Sequence, residues 1–99
     1  MKGNILVVDD EAAARNSLAE ILRLEDFRVT TASTGEEALR SLEADTFDVM
    51  LLDLKMPGMG GLEVLQQASR LARECKIVVL TAHGSLDSAI EALRHGAHD

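Results

Sequence analysis

The sequence predicts an α/β protein built on a parallel β-sheet, and three observations support this prediction. Four short apolar runs recur along the chain, at residues 5–8, 29–32, 49–52 and 77–80. Helix-period segments lie between them in strict alternation, which favours parallel strands with helical crossovers. The first, third and fourth runs are continuously apolar, which is typical of strands covered on both faces, whereas the second alternates and suits an edge.

The helices are predicted from the spacing of their apolar residues and from capping signals. Thr34 and Glu37 predict a capping box at the start of the second helix. Ser85 and Gly96 mark the start and the end of the fourth. The residues expected to face inward are Ala14, Leu18, Ile21 and Leu22 in the first helix, Ala38, Leu39 and Leu42 in the second, Leu62, Leu65, Ser69 and Ala72 in the third, and Leu86, Ala89, Ile90 and Leu93 in the fourth.

Right-handed crossovers leave few ways to arrange four parallel strands. We expect the flavodoxin-like, doubly wound order 2-1-3-4, in which the first and third strands are neighbours. The direction of winding reverses between these two strands, and ligands of such sheets bind there, outside the carboxyl ends of the strands. The residues that follow strands one and three are therefore the first place to look for a site.

Carboxylates stand at both of these strand ends. Asp9 and Asp10 follow the first apolar run, and Asp53 follows the third. Neighbouring strands lie about 4.8 Å apart, so the fold would crowd the three acids into one crevice, where like charges raise one another's pKa and oppose folding. A hard divalent cation such as Mg²⁺ would relieve this repulsion because it prefers oxygen ligands. A carboxylate beside a metal-held phosphate could also accept a phosphoryl group.

Each of these residues also has a structural interpretation. Asp10 could equally be the N-cap of the helix that follows it. Capping is a weaker interpretation of Asp53, because its next helix is expected near Gly61, across a loop rich in Gly and Pro. Thr81, at the end of the fourth run, could offer its hydroxyl to a phosphate oxygen or bond only its own loop.

Composition and charge exclude several classes of partner. Seventeen acidic residues against ten basic ones give a net charge of −7, so we expect no direct contact with nucleic acid, which needs a basic face. The single Cys75 cannot form an internal disulfide, which agrees with a reducing cytoplasm. No segment has the length and pattern of a signal peptide or a membrane span. We expect one cytoplasmic domain, residues 1–99, that does not contact a membrane.

Four stretches resemble a known family: ILVVDDE, DVMLLDLKMPGMGGLEVL, IVVLTAHGS and AIEALRHGAHD. Taken in order, they are similar to the receiver domain of bacterial two-component response regulators over essentially the whole chain. The segment TAHGSLDSAIEALRHGA resembles receivers that precede an ATPase module and a DNA-binding helix-turn-helix in nitrogen-regulator-type activators. The resemblance implies a signalling phosphoacceptor and not an enzyme, with a histidine kinase as phosphoryl donor and an output domain C-terminal to it.

The resemblance also implies roles for individual residues. Asp53 would accept the phosphoryl group. Asp10 would bind Mg²⁺ directly, together with Asp53 and the backbone carbonyl of Lys55, whereas Asp9 would act mainly through water. Thr81 would bond the phosphoryl group and move with it as the switch.

The chain departs from the family pattern at its C-terminal end. Family members continue past the GA-D motif with an aromatic residue, a strand ending in Lys-Pro and a fifth helix, and this chain has no counterpart of them before Asp99. We therefore expect a truncated receiver that lacks the phosphate-pairing lysine. The fourth strand, KIVVL, would then be an exposed edge through which the chain self-associates, in the simplest case as a dimer.

Two other functions stay open at the level of the sequence. A phosphatase or phosphotransferase with an aspartyl nucleophile could use a similar sheet. Such enzymes commonly carry a second acid two residues after the nucleophile, where this chain has Lys55. The other alternative is an interaction or assembly module that is never phosphorylated. Labelling with a phosphoryl donor would separate this module from the signalling domain, and turnover of a phosphomonoester would favour the enzyme.

Overall fold

A computed structural model of the chain describes residues 3–53 and 61–80. Its elements in this part of the chain are β1 (Asn4–Val8), α1 (Ala12–Leu24), β2 (Arg28–Ala32), α2 (Gly35–Ala44), β3 (Val49–Asp53), α3 (Gly61–Leu71) and β4 (Lys76–Leu80). All four predicted strands are present, each one residue longer than its apolar run. The predicted fourth helix, with Ser85 and Gly96 at its ends, lies outside the described residues.

The strands form one parallel sheet in the order β2-β1-β3-β4, which confirms the predicted order. β1 lies between β2 and β3, and it pairs with β3 so that Val8 is beside Leu52. β2 is an edge strand, as its weaker apolar pattern predicts, with Arg28 exposed and Thr30 and Thr31 half-buried. In the described part of the chain β4 pairs with β3.

Helices cover both faces of this sheet, which explains why β1 and β3 are apolar at consecutive positions. Successive side chains of a strand point to opposite faces, and the side chains on each face of this sheet belong to a separate hydrophobic core. The core under α1 contains Ile5, Val7, Leu18, Ala19, Leu22, Val29, Leu51 and Val78. The core under α2 and α3 contains Leu6, Val8, Ala32, Ala38, Leu39, Leu42, Phe47, Met50, Leu52, Val64, Ala68 and Cys75. Among the described residues, no helix combines the length and the apolar composition that a membrane span requires.

The buried face of α1 is narrower than its sequence predicts. Leu18 and Leu22 are buried, as expected, and Ala19 is buried with them. Ile21 is only half-buried, and Ala14 is exposed. Ala14 belongs to the first turn of the helix and is not among the residues of the core under α1.

The buried face of α3 matches the predicted one only in part: Leu65 and Ala72 are partly buried against the core, as expected. Leu62 is 64% exposed and Ser69 is exposed, whereas Val64 and Ala68 are buried. The two stripes are adjacent on the helix, because each residue turns it by about 100°, and Leu65 lies partly buried at their border. Ser69 donates its hydroxyl to the Leu65 carbonyl oxygen at 2.8 Å, a local bond that lets a polar side chain sit within a helix without a core partner.

The predicted capping box of α2 is present with one altered partner. The Thr34 hydroxyl oxygen accepts a hydrogen bond from the Glu37 N–H at 3.1 Å. The Glu37 carboxylate reaches one residue further back than in the standard box and accepts the Ser33 N–H at 3.0 Å. Ala38, Leu39 and Leu42 on this helix are buried, as predicted.

Replacing the cap should destabilise the domain measurably. Thr34→Ala removes the acceptor for the Glu37 N–H, so we expect the free energy of unfolding to fall by about 1 kcal/mol. Thr34→Ser keeps a hydroxyl at the same place and is the matched control. Urea unfolding followed by circular dichroism measures both, and equal losses in the two variants would contradict the assignment of the cap.

Candidate functional site

Three carboxylates meet at the carboxyl edge of the sheet. Asp9 directly follows β1, Asp10 comes next, and Asp53 is the last residue of β3. Each of the three offers a carboxylate oxygen, and these oxygens lie within 4.8 Å of one another. The expected crowding of the acids is therefore present in the structure. The adjacent pairing of β1 and β3 produces it.

The loop that carries Asp9 is held by three hydrogen bonds. The Asp9 N–H donates to the Ala32 carbonyl at 3.1 Å, which extends the β1–β2 pairing past the strand. One carboxylate oxygen of Asp9 accepts the Glu11 N–H at 3.0 Å. The Asp9 carbonyl oxygen accepts a hydrogen bond from Arg15 Nη1, also at 3.0 Å. The main chain and the side chain of Asp9 are both anchored as a result.

Asp10 is not the cap of α1, so that structural interpretation is wrong. The N-cap residue is Glu11, which makes no side-chain capping bond, and its carbonyl accepts the Arg15 N–H at 2.9 Å as the first bond of the helix. The helix starts one residue too late for Asp10 to cap it. The Asp10 side chain is exposed, and one of its carboxylate oxygens lies close to those of Asp9 and Asp53.

The environment of Asp9 disfavours its charge. Burial raises the pKa of the Asp9 carboxyl, and the charges of Asp53 and Asp10 and a hydrogen bond with Asp53 raise it further. The Glu11 N–H works in the opposite direction but does not cancel these effects. Desolvation and like charge are the expected results of placing carboxylates on neighbouring strand ends.

The donor set fits a small hard cation. Two oxygens bound to one Mg²⁺ are at most about 4.2 Å apart, since each bond is about 2.1 Å, and the oxygens here lie within 4.8 Å of one another. Small side-chain rotations would let two carboxylates share an ion. Water and other oxygen ligands would complete the octahedron, as is usual for Mg²⁺. Two further predicted site residues, Lys55 and Thr81, lie outside the described residues.

Arg15 is not among the residues predicted for the site. The residue lies one turn into α1 and is half-buried, and its guanidinium bonds the backbone beside the acids. The one sequence signal for this contact is that Arg15 lies four residues after the last acid of DDE. Side chains of a helix tilt toward its N-terminus, so a helix that starts at this acid directs the Arg15 side chain toward the loop.

A concavity of about 240 Å³ lies at the edge of the sheet opposite the acids. Phe47, Arg73 and Cys75 line it, in the segments that lead into β3 and β4. Burial, helped by Asp48, raises the pKa of the Cys75 thiol to about 11. A thiol in this state is protonated at neutral pH and is a poor nucleophile.

Comparison with known proteins gives a consistent family. The family model of the response regulator receiver domain matches residues 5–99. The DNA-binding transcriptional regulator NtrC of Escherichia coli K12 is 38% identical over 98 residues, which are 99% of this chain and 21% of that protein. The chain thus spans about a fifth of the length of this curated relative.

Solved structures agree in fold and in sequence. A CheY-like receiver domain protein from Methanospirillum hungatei JF-1 superposes with a TM-score of 0.79 at 36% identity, over 95% of this chain and 75% of that one. The response regulator TrrA from Thermotoga maritima, solved in complex with Mg²⁺ and BeF, has a TM-score of 0.76 at 39% identity, over 91% of this chain and 78% of that one. The predicted sheet, the acids at its edge and a family match over residues 5–99 lead to one conclusion: the chain belongs to the response regulator receiver domain family of two-component systems.

Proposed function

We propose that Asp53 is the phosphoacceptor of this receiver domain, that a histidine kinase supplies the phosphoryl group and that transfer depends on Mg²⁺. The observation that carries the proposal is the meeting of the three carboxylates, within 4.8 Å of one another, where the winding of the sheet reverses. A receiver domain is a phosphoacceptor module, and these three residues are the acids that the described structure brings together at the carboxyl edge. TrrA, bound to Mg²⁺ and BeF, supports the same chemistry by likeness.

The environments of the three acids support different roles. Asp53 ends β3 and is half-buried, so a fixed strand orients its carboxylate. Asp10 is exposed and is free to bind a cation that keeps several waters. Asp9 already uses one oxygen to accept the Glu11 N–H, which favours contact with the ion through water. Lys55, through its carbonyl, and Thr81, through its hydroxyl, complete the proposed site.

The transfer step needs little from the protein beyond position and charge. A carboxylate oxygen of Asp53 attacks the phosphorus of a phosphohistidine and forms a P–O bond as the P–N bond breaks. The electron pair of that bond stays on the imidazole of the donor, which takes up a proton, and an acyl phosphate is left on Asp53. The bound cation would neutralise charge on the phosphoryl oxygens. Asp53 is thus acceptor and product site at once, so we propose that the domain catalyses only its own phosphorylation.

The partners follow from the same proposal. NtrC is a DNA-binding transcriptional regulator, and this chain matches 21% of it. We infer that the domain controls an output domain C-terminal to it, with an ATPase and a DNA-binding module, in the cytoplasm. The net charge of −7 supports DNA contact by the output module and not by this domain. Self-association through β4 stays a prediction, and light scattering over a range of concentrations would test it.

Phosphorylation can be tested by intact mass. Acetyl phosphate with Mg²⁺ should add one phosphoryl group to the wild type, and Asp53→Asn should abolish the addition. Asp45→Asn, a change at an exposed aspartate that ends α2, is the matched control and should still be labelled. Labelling that persists in Asp53→Asn would show another acceptor. A wild type that stays unlabelled but hydrolyses a phosphomonoester would favour the enzyme alternative.

Removing the Asp9 charge should stabilise the metal-free domain. The raised pKa of Asp9 means that the folded state holds this proton more tightly than the unfolded state. The free-energy cost of charging Asp9 in the folded state is absent below the pKa of the unfolded state, about 3.8. This cost is fully present above the raised pKa of the folded state. Asp9→Asn should therefore raise the free energy of unfolding at pH 7 in EDTA, and the gain should shrink as the pH falls through the raised folded pKa and vanish below about 3.8. The amide oxygen of Asn can still accept the Glu11 N–H.

The matched control for this measurement is Asp45→Asn. Asp45 also accepts a backbone N–H, from Thr46 at 2.8 Å, but it lies outside the acidic group. Thermal unfolding of both variants with EDTA, and again with Mg²⁺, separates the contributions. Mg²⁺ should raise the Tm of the wild type by mass action and raise that of Asp10→Asn much less. Equal shifts in the wild type and Asp10→Asn would contradict the assignment of Asp10 as a metal ligand.

A further inference from the structure

Arg15 reaches from α1 back to the loop that carries the acids. Its Nη1 donates to the carbonyl oxygen of Asp9 at 3.0 Å, and the side chain is half-buried. The backbone N–H of the same residue bonds the Glu11 carbonyl at 2.9 Å. Arg15 therefore donates hydrogen bonds to the loop at two points, one on each side of Asp10.

The oxygen that Arg15 holds belongs to the peptide that joins Asp9 to Asp10. That peptide is planar, so fixing its carbonyl oxygen also fixes the direction of its N–H and limits the position of the Asp10 Cα. The other two bonds of the loop act on the Asp9 N–H and on the Asp9 side chain. The Arg15 bond is thus the one that acts on the peptide leading directly into the exposed Asp10.

We propose that Arg15 is a positioning residue of the metal site, which sets the Mg²⁺ affinity of the acids by holding the Asp9 carbonyl. This inference rests on the proposed function, since it requires that Asp10 and Asp53 bind Mg²⁺. Arg15 does not touch the ion or the phosphoryl group in this role. It acts through the backbone of the loop, much as residues that hydrogen-bond metal ligands orient those ligands in other proteins.

A purely electrostatic role makes the opposite prediction. If the guanidinium acted through its charge, it would compete with a cation for the negative charge of the acids, so its removal would tighten Mg²⁺ binding. Loss of positioning would weaken binding instead, because the Asp9–Asp10 peptide would have to be ordered when the ion binds. The sign of the change in affinity therefore separates the two roles.

Three variants make the test. Arg15→Met keeps an unbranched side chain without charge or donor, and Arg15→Lys keeps the charge and a single mobile donor. Arg23→Met is the matched control, because Arg23 Nη2 also donates to a backbone carbonyl, that of Val29, at 3.1 Å from the last turn of the same helix. Calorimetry of Mg²⁺ binding at fixed ionic strength gives the affinities. Amide NMR shifts of Asp10 on Mg²⁺ addition report the loop itself.

We expect Arg15→Met to bind Mg²⁺ about tenfold more weakly than the wild type, at the lower end of the effect of residues that orient metal ligands. Arg15→Lys should fall between the two, and Arg23→Met should match the wild type. Unchanged or tighter binding in Arg15→Met would overturn the proposal. If Arg15→Met does not unfold cooperatively, Arg15→Lys decides: weaker binding than the wild type supports positioning, and equal binding overturns it. A wild type that binds no Mg²⁺ would instead reject the proposed function.

Discussion

Parallel pairing of β1 with β3 places Val8 beside Leu52, so the chain leaves both strands at the same edge of the sheet. The pairing depends on side chains that are apolar on both faces, since Leu6 packs under α2 and α3 while Val7 packs under α1. A polar residue within either strand would be buried without a partner. The first polar positions are therefore the strand ends, and there the carboxylates of Asp9, Asp10 and Asp53 come together.

This arrangement sets folding against function at one edge of the molecule. The pKa of Asp9 is raised by burial and by its acidic neighbours, which means that the charged site costs stability when no cation is bound. Away from this edge, α2 is capped and the two cores are apolar. Such conflicts are expected at functional sites. The hydrogen bonds from Arg15 and Glu11 to Asp9 hold the loop in place despite the repulsion.

The strands and their order could be predicted because short, continuously apolar runs that alternate with helical segments are typical of parallel strands buried on both faces. The acids could be predicted because the strand order decides which strand ends are neighbours. The inward face of α3 could be predicted at Leu65 and Ala72 but not in full, since Leu62 and Val64 are both apolar and only packing decides which of the two is covered. The role of Asp10 depended on where α1 begins, to within one residue. Arg15 was missed because a contact from a side chain to a backbone carbonyl has no composition signal.

The most direct measurement is a crystal structure of the chain grown with Mg²⁺ and beryllofluoride, a mimic of a phosphoryl group. The proposed chemistry predicts an ion bound by carboxylate oxygens of Asp10 and Asp53, with the beryllofluoride on Asp53 and a water between the ion and Asp9. The Arg15 bond to the Asp9 carbonyl should persist in that structure. An ion bound away from the three acids, or beryllofluoride on a residue other than Asp53, would contradict the proposed chemistry.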